Sequence, residues 1–355
     1  MSPPTAAPLP RGPAARSTAE GAVSRSTRME DVGRLAGVSH MTVSRVLNNA
    51  ENVRPGTRDR VIAAIAELGY RRNTAARTLV TRRSGLIGVV TAEMGQYGPS
   101  STLLALEAAA RDTAYSLTLA GLTKISADAL HSAAERLLDQ AVEALVVVVA
   151  HRAVLPLTQS LDLGVPVIVV EGDLSAMPLT AGVDQAEGAR LATEHLLALG
   201  HTTVHHLTGP SDWIEAVARR QGWEATLCAA GRAVPEVLEG DWSARSGYAH
   251  GRTIAAQQGT TAVFVANDQM ALGLLAALRD EGKGVPGDIS VVGFDDIPEA
   301  EFFHPPLTTV RQDFMELGRR TMNLIERVLA GEKGATASLL APELVVRSST
   351  SAPPG

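Results

Sequence analysis

The stretch GVSHMTVSRVLNNA, residues 37–50, opens on a glycine and runs into Val43, Val46 and Leu47 at helical spacing. Ser39 is placed to N-cap that helix, because its hydroxyl can accept one of the backbone N–H groups left unpaired in a first turn. Upstream, Thr27 followed three residues later by Glu30 is a capping-box pattern for an earlier helix, with Val32, Leu35 and Ala36 on its apolar side. Gly37 allows a tight turn between the two. Two short helices joined by a short glycine-containing turn form a helix-turn-helix. A third amphipathic helix follows, introduced by Pro55 and stopped by Gly69, with Val61, Ile62, Ile65 and Leu68 expected inward. The second helix would present His40, Met41, Thr42 and Arg45 outward. Its free amides, with Thr42, Ser44 and Asn48, suit phosphate contacts. His40, Met41 and Arg45 remain as candidate readers of base edges in a major groove.

Charge divides the chain in the same place. Residues 25–83 carry twelve arginines, no lysine and five acidic side chains, a net +7, although the whole chain is −6. A basic head on an acidic body is the electrostatic footprint of a nucleic-acid-binding module joined to something else. The 355 residues exceed what one core usually supports, so more than one domain is expected. A single cysteine, Cys228, allows no internal disulfide and fits a reducing cytoplasm. No apolar run reaches the roughly 20 residues that span a bilayer. Residues 1–26, rich in Pro, Ala and Ser and lacking the apolar core of a secretory signal, read as a disordered tail, and 351–355 form a short tail at the other end.

The body alternates strands with Ala/Leu/Glu-rich helices. LIGVVTA (86–92), YSLTLAGL (115–122), ALVVVVA (144–150) and PVIVVEG (166–172) are β-rich runs. After Asp184 the rhythm restarts with TTVHHLTG (202–209), AVFVAND (262–268) and ISVVGFDD (289–296). Two α/β units with parallel sheets are expected, and ligands of such sheets bind beyond the strand ends. Asn267, Asp268, Asp295 and Asp296 finish strands there. Each could equally cap the helix that follows.

MEDVGRLAGVSHMTVSRVLNN, then GYRRNTAARTLVTRRSGLIGVV, GDWSARSGY, VFVANDQMALG, DISVVGFDD and PPLTTVRQDF stand in one order along residues 27–350. Together they resemble the lactose-repressor family of bacterial transcription regulators. Two departures lie in the head. Gly33 stands in a helix interior where the family usually has Ala, at a propensity cost of about 1 kcal/mol. Arg54-Pro55-Gly56 replaces the family's usual Ser-Pro-Glu-like start of the third helix.

The resemblance implies an all-α head at 27–72, a hinge at 73–83 and an effector-binding, dimerising body at 84–350. That body would be two-lobed and similar to periplasmic binding proteins, lobe one being 84–183 with 314–341 and lobe two 184–313 with 342–350. By the same likeness, Asn73 and Ala76 belong to a hinge helix that forms on operator DNA, and Leu79 matches the wedge that bends the duplex from its minor groove. Read without the family, 73–83 is an Ala/Thr/Arg linker. Arg219, at the beginning of a helix, Asn267 and Asp295 match a trio that hydrogen-bonds sugar hydroxyls, with Gln269 beside them. The chemistry suits vicinal diols: a cation, an amide and a carboxylate. Trp242 would supply a flat face for the ring, and Phe314 and Pro99 further wall. Glu171, Glu215, Val183 and Gln96 stand where the family's namesake has Asp, Ser, Phe and Leu, so specificity is expected to have moved, the effector being a galactoside-like or other neutral saccharide.

Catalytic readings find little. His201, His205 and His206 cluster in GHTTVHH, but strand alternation sends the last two to opposite faces. No nucleophile elbow, phosphate loop or dinucleotide fingerprint is present. No catalytic residue, metal or cofactor is expected. A solute-binding protein of the transport class would share the body but has no use for a basic helical head. Within the family, the sign of regulation (repressor, activator or corepressor-dependent) stays open. One such head makes too few contacts for a specific site, so a homodimer on a near-palindromic operator is expected, cytoplasmic and at the nucleoid. SSTSAPPG at the end carries no leucine heptad, which favours a dimer over a tetramer.

Overall fold

The computed structural model describes residues 27–47, 50, 52–70, 83–149, 151–153, 163–171, 179–336 and 339–355. The chain forms two compact units, Met1–Val80 and Thr81–Gly355. The tail read at 1–26, and all but Arg83 of the segment read as a hinge at 73–83, lie outside the described residues.

The first unit holds three helices, α1 (Met29–Ala36), α2 (His40–Leu47) and α3 (Pro55–Glu67). Val32, Ala36, Val43, Val46, Val61, Ala64 and Tyr70 form its core. Burying each of those valines stabilises the unit by about 1.5–3 kcal/mol. Gly37 takes the left-handed conformation (φ 66°) that ends α1, and Ser39 Oγ accepts the Thr42 N–H at 3.3 Å to start α2.

Three details differ from the sequence reading. The cap of α1 lies one residue further on: Asp31 accepts the Arg28 N–H at 2.9 Å, while Thr27 Oγ1 donates to the Leu68 carbonyl at 3.2 Å. Thr27 therefore ties α1 to the end of α3. Leu35 and Ile62 are not inward but 45% and 53% exposed. Helices this short bury a narrow stripe, and on α3 that stripe runs through Val61 and Ala64, about 100° away from Ile62. Gly33 has a packing reason, since a Cβ there would stand 2.8 Å from the Val38 carbonyl oxygen.

The second unit is built on two sheets. The first orders β2 (Ser116–Leu122), β1 (Leu86–Ala92), β3 (Ala144–Val148), β4 (Val167–Val170) and β5 (Thr180–Ala181), all parallel. Helices α4 (Tyr97–Arg111) and α5 (Ala127–Leu138) pack on it. The second orders β11 (Glu343–Val345), β10 (Thr308–Arg311), β9 (Ser290–Asp295), β8 (Ala262–Val265), β6 (His205–Thr208) and β7 (Leu238–Glu239). It is parallel except for β11, which runs antiparallel to β10. Its helices are α6 (Gln185–Ala198), α7 (Ile214–Ala229), α8 (Ala244–Ala256) and α9 (Asp268–Asp280). The last helix, α10 (Phe314–Leu329), returns to the first sheet, burying Leu317, Met322, Leu324 and Ile325 against Ile87, Val89 and Leu106.

All seven β-rich runs contain strands, most of them shortened at an end. The short strands β5, β7, β10 and β11 carry too few apolar residues to stand out by pattern. Fully buried β3 and β8 read as continuous apolar runs, as strands covered on both faces do.

Candidate functional site

Helix α2 buries Val43 and Val46 and turns its other face outward. His40, Met41 and Arg45 are exposed, Met41 by 57%, and Thr42 and Ser44 are half-buried. Its first turn carries no acidic side chain, so no carboxylate opposes an anion at its amide end, where Ser39 Oγ caps the Thr42 N–H. Asn48, Asn73, Ala76 and Leu79 lie outside the described residues.

In the second unit, strand ends and helix starts from both sheets converge on one cavity with about 670 Å³ of empty space. Right-handed β-α-β connections put every helix N-terminus on the same side as the strand C-termini, so first-turn residues become the wall. Tyr97 opens α4, Gln185 opens α6, Glu215 is second in α7, Asn267 caps α9 and Phe314 opens α10. The caps fix these positions. Asp184 accepts the Glu187 N–H, Asn267 the Met270 N–H and Asp313 the Glu316 N–H, each at 2.9 Å.

Arg219 is the buried centre. It lies in the second turn of α7, not at the helix start as the sequence suggested. Nε donates to Gln185 Oε1 at 2.8 Å, Nη1 donates to the Ala266 carbonyl, and Nη2 stands 3.7 Å from Asp295 Oδ1. The guanidinium also sits 3.8 Å over the Phe294 ring and 5.7 Å from that of Trp242. Gln185 Nε2 donates to Gln312 Oε1 (2.8 Å), and Gln312 Nε2 donates to Asp295 Oδ1 (2.7 Å). Arg219, Gln185, Gln312 and Asp295 thus close a circuit, and Gln185 Nε2 extends it to Glu171 Oε2 at 3.0 Å. Such a network holds its members in one geometry, and removing one partner leaves a buried polar group exposed to the full desolvation penalty.

Trp242 lies in the wall at φ 70°, Glu171 at 59° and Asp295 at 108°. Non-glycine residues in this region cost about 1–3 kcal/mol each and cluster at sites whose geometry matters. Gly209 makes room for the indole, since a Cβ there would come within 2.2 Å of it. The aromatic walls are paired. Tyr97 meets Phe314 edge-to-face at 5.7 Å, and Trp213 meets Trp242 at 6.5 Å.

Burial governs the acids. It pushes Asp295 up to about 6 against the pull of Arg219 and Gln312. It pushes Glu171 up to about 7 despite bonds from Gln185 and Val183. Glu215 rises to about 8 through burial and the neighbouring Glu171 charge.

Pro99, Glu171, Glu215, Arg219, Trp242, Asn267, Asp295 and Phe314 all line this cavity, as does Gln96. Gln269 is not in the wall; its Oε1 accepts from Asn267 Nδ2 at 2.9 Å. Val183 is in the core of the first sheet and reaches the site only through its N–H, which donates to Glu171 Oε1 at 3.0 Å. Asp296 turns away to Arg311 and Arg347, both at 2.7 Å. Asp268 is buried under the site, accepting from Thr309 Oγ1 at 2.6 Å and the Ile297 N–H at 2.9 Å. Sequence reasoning missed Gln185, Gln312, Trp213, Tyr97 and Thr102. Tyr97 and Trp213 follow the ends of β1 and β6, which the apolar pattern marks, whereas Gln185 and Gln312 follow β5 and β10, which it does not. The three histidines are separate: His201 bonds Thr261, His205 bonds Thr260, and His206 stacks on Phe264 at 4.6 Å. Burial drives His206 down to about 4.

Among the described residues, no three His, Cys, Asp or Glu side chains group as a metal site would need, and no helix is long and apolar enough to cross a membrane.

Residues 28–73 match the bacterial regulatory proteins of the lacI family, and residues 193–350 match the periplasmic binding protein-like domain. The lactose operon repressor of Escherichia coli (strain K12) is 35% identical over 334 residues, covering 91% of this chain and 90% of the relative. The HTH-type transcriptional regulator CelR of Thermobifida fusca is 36% identical over 345 residues, covering 92% and 98%. Among solved structures, the lac repressor dimer bound to operator and the anti-inducer ONPF superposes with a TM-score of 0.84 at 34% identity, covering 92% of this chain and 100% of the other. A CelR–cellobiose complex gives 0.68 at 33% identity, covering 91% and 99%.

Proposed function

The chain belongs to the lacI family of bacterial regulatory proteins, and we propose that it is a sequence-specific transcription regulator, a repressor released from its operator by a small neutral saccharide. The observation that carries the effector half is one cavity holding Arg219, Asn267, Asp295 and the Trp242 plane together. A cation, an amide and a carboxylate read neighbouring hydroxyls, and the indole covers the apolar face of a sugar ring. The relatives named above include one solved with operator and another with cellobiose, and both precedents fit this reading.

On DNA, His40, Met41 and Arg45 read base edges while Thr42, Ser44 and Asn48 hold phosphate. Asn73, Ala76 and Leu79 belong to a hinge that orders on the operator. Two copies, bound as a dimer, cover a near-palindrome in the cytoplasm at the nucleoid, and no catalytic step is assigned to the chain. Effector binding shifts the balance between two arrangements of the lobes and so the order of the hinge. Calorimetry of the full chain against saccharides and nucleobases tests the effector. Binding of a neutral saccharide at micromolar to millimolar concentration is expected. Binding of a nucleobase with no saccharide bound would overturn it.

A further inference from the structure

Among the described residues, the effector cavity holds three acids, Glu171, Glu215 and Asp295, and one cation, Arg219. Glu215 enters from the first turn of α7, and its Oε2 is out of contact with solvent with no hydrogen-bond partner among the described residues. The two nearest strong donors, Arg219 and Gln185, are committed elsewhere. The Arg219 donors go to Gln185 Oε1 and the Ala266 carbonyl, with the remaining nitrogen turned toward Asp295. Gln185 Nε2 is shared between Glu171 and Gln312. Glu171 itself already accepts from the Val183 N–H and from Gln185.

The charged groups that bear on Glu215 are Glu171 from the end of β4, Asp295 from the end of β9 and Arg219 on its own helix. Two of those three are anionic. The rest of the wall nearby is aromatic, with Trp213, Trp242, Tyr97 and Phe314. A buried carboxyl group whose Oε2 has no donor among the described residues, set beside like charges, favours its protonated form, and a hydrogen bond from its own backbone N–H and the Arg219 charge offset this only in part.

We propose that Glu215 meets the effector as a neutral carboxylic acid, donating its proton in a hydrogen bond to an acceptor oxygen of an uncharged saccharide. This rests on the saccharide reading and specifies it. The ligand presents an oxygen acceptor at this wall, not an ammonium group. Above the range where Glu215 keeps its proton in the empty cavity, binding must draw one proton from solvent. Glutamine at this position has the same length and always carries an N–H donor, so it reproduces the bound form without the titration.

The test is calorimetry of the full chain with cellobiose, lactose, methyl β-galactoside and glucosamine from pH 6.5 to 9.5, in buffers of different ionisation heat. The expected result is affinity for a neutral saccharide that is level to about pH 7.5, then falls toward tenfold per pH unit with uptake of close to one proton. Glu215→Gln should bind within about threefold of wild type at pH 7 and lose both the slope and the proton uptake. Proton release, affinity that is level or rises with pH, or tighter binding of glucosamine would overturn the proposal, because the ionised form would then be the binding form. A Glu215→Gln chain that unfolds like wild type but binds a hundredfold more weakly would overturn it too. If wild type binds none of the neutral sugars at any pH, the saccharide reading itself fails, and the proposal falls with it.

Discussion

His151, just past β3 of the first sheet, points its Nε2 at Asp212 Oδ2, 2.9 Å away in the loop before α7 of the second. The Arg152 N–H donates to the Asp212 carbonyl at 2.9 Å, and His151 pairs with Trp213 as an antiparallel bridge. Because the Ala153 N–H donates to Nδ1 at 3.1 Å, the neutral ring carries its proton on Nε2 and donates it to Asp212. The two lobes are therefore clasped beside Trp213, a residue of the effector wall.

His151→Ala removes this side-chain tie while leaving the backbone bridge. Asp212 is partly solvated, so the loss is bounded by about 1 kcal/mol, a two- to fivefold drop in saccharide affinity. Calorimetry measures it. An unchanged affinity would mean that the clasp does not bear on the effector-bound arrangement.

Gly209→Ala tests how Trp242 is held. The new Cβ would overlap the indole, which must then leave its place against the wall. Saccharide affinity should fall about tenfold or more with loss of stacking area, and the tryptophan fluorescence response to saturating ligand should shrink to the part carried by Trp213. Wild-type affinity would remove Trp242 from the binding surface.

Stability should fall as pH rises across the neutral range. Glu171 and Glu215 have folded values near 7 and 8, above the ordinary 4.5. Between about 4.5 and 8 the folded chain therefore holds more protons than the unfolded one, so raising the pH favours unfolding. The contribution is complete below about 4.5 and is lost through 7 and 8. Glu215→Gln should match wild type in thermal unfolding at pH 5 and exceed it at pH 9, where each kcal/mol is worth about 2–4 °C. A variant less stable than wild type at pH 9 would contradict the assignment.

In the head, His40→Ala with Met41→Ala should change which operator is preferred more than how tightly DNA in general is held. Both side chains project from α2 without supporting the core of Val32, Val43 and Val61. Selection of bound fragments with wild type and variant compares the two preferences, and identical selected sites would refute the reading role.

The fold class and much of the pocket were legible because both rest on local pattern. Helical spacing around Val43 and Val46 marks the head, and apolar runs ending in Asn267 or Asp295 mark strands that stop at a ligand cleft. What stayed hidden depends on distance along the chain. Gln185 and Gln312 are 127 residues apart and meet only because α6 packs against β10. Their glutamines have no pattern of their own. Ile62 misled for the opposite reason. It is apolar and helical, but the inward face of α3 was already taken by Val61 and Ala64, and two short helices had no surface left to cover it.

The central claim joins the two units in one switch: a basic head that reads DNA and a pocket whose ligand turns that reading off. It is tested most directly by fluorescence anisotropy on a selected near-palindromic fragment, at fixed salt, titrated with a saccharide shown to bind. The expected result is nanomolar binding that weakens steeply with salt and is released tenfold or more by saturating saccharide. Binding indifferent to sequence, or sequence-specific binding that no bound saccharide alters, would contradict it.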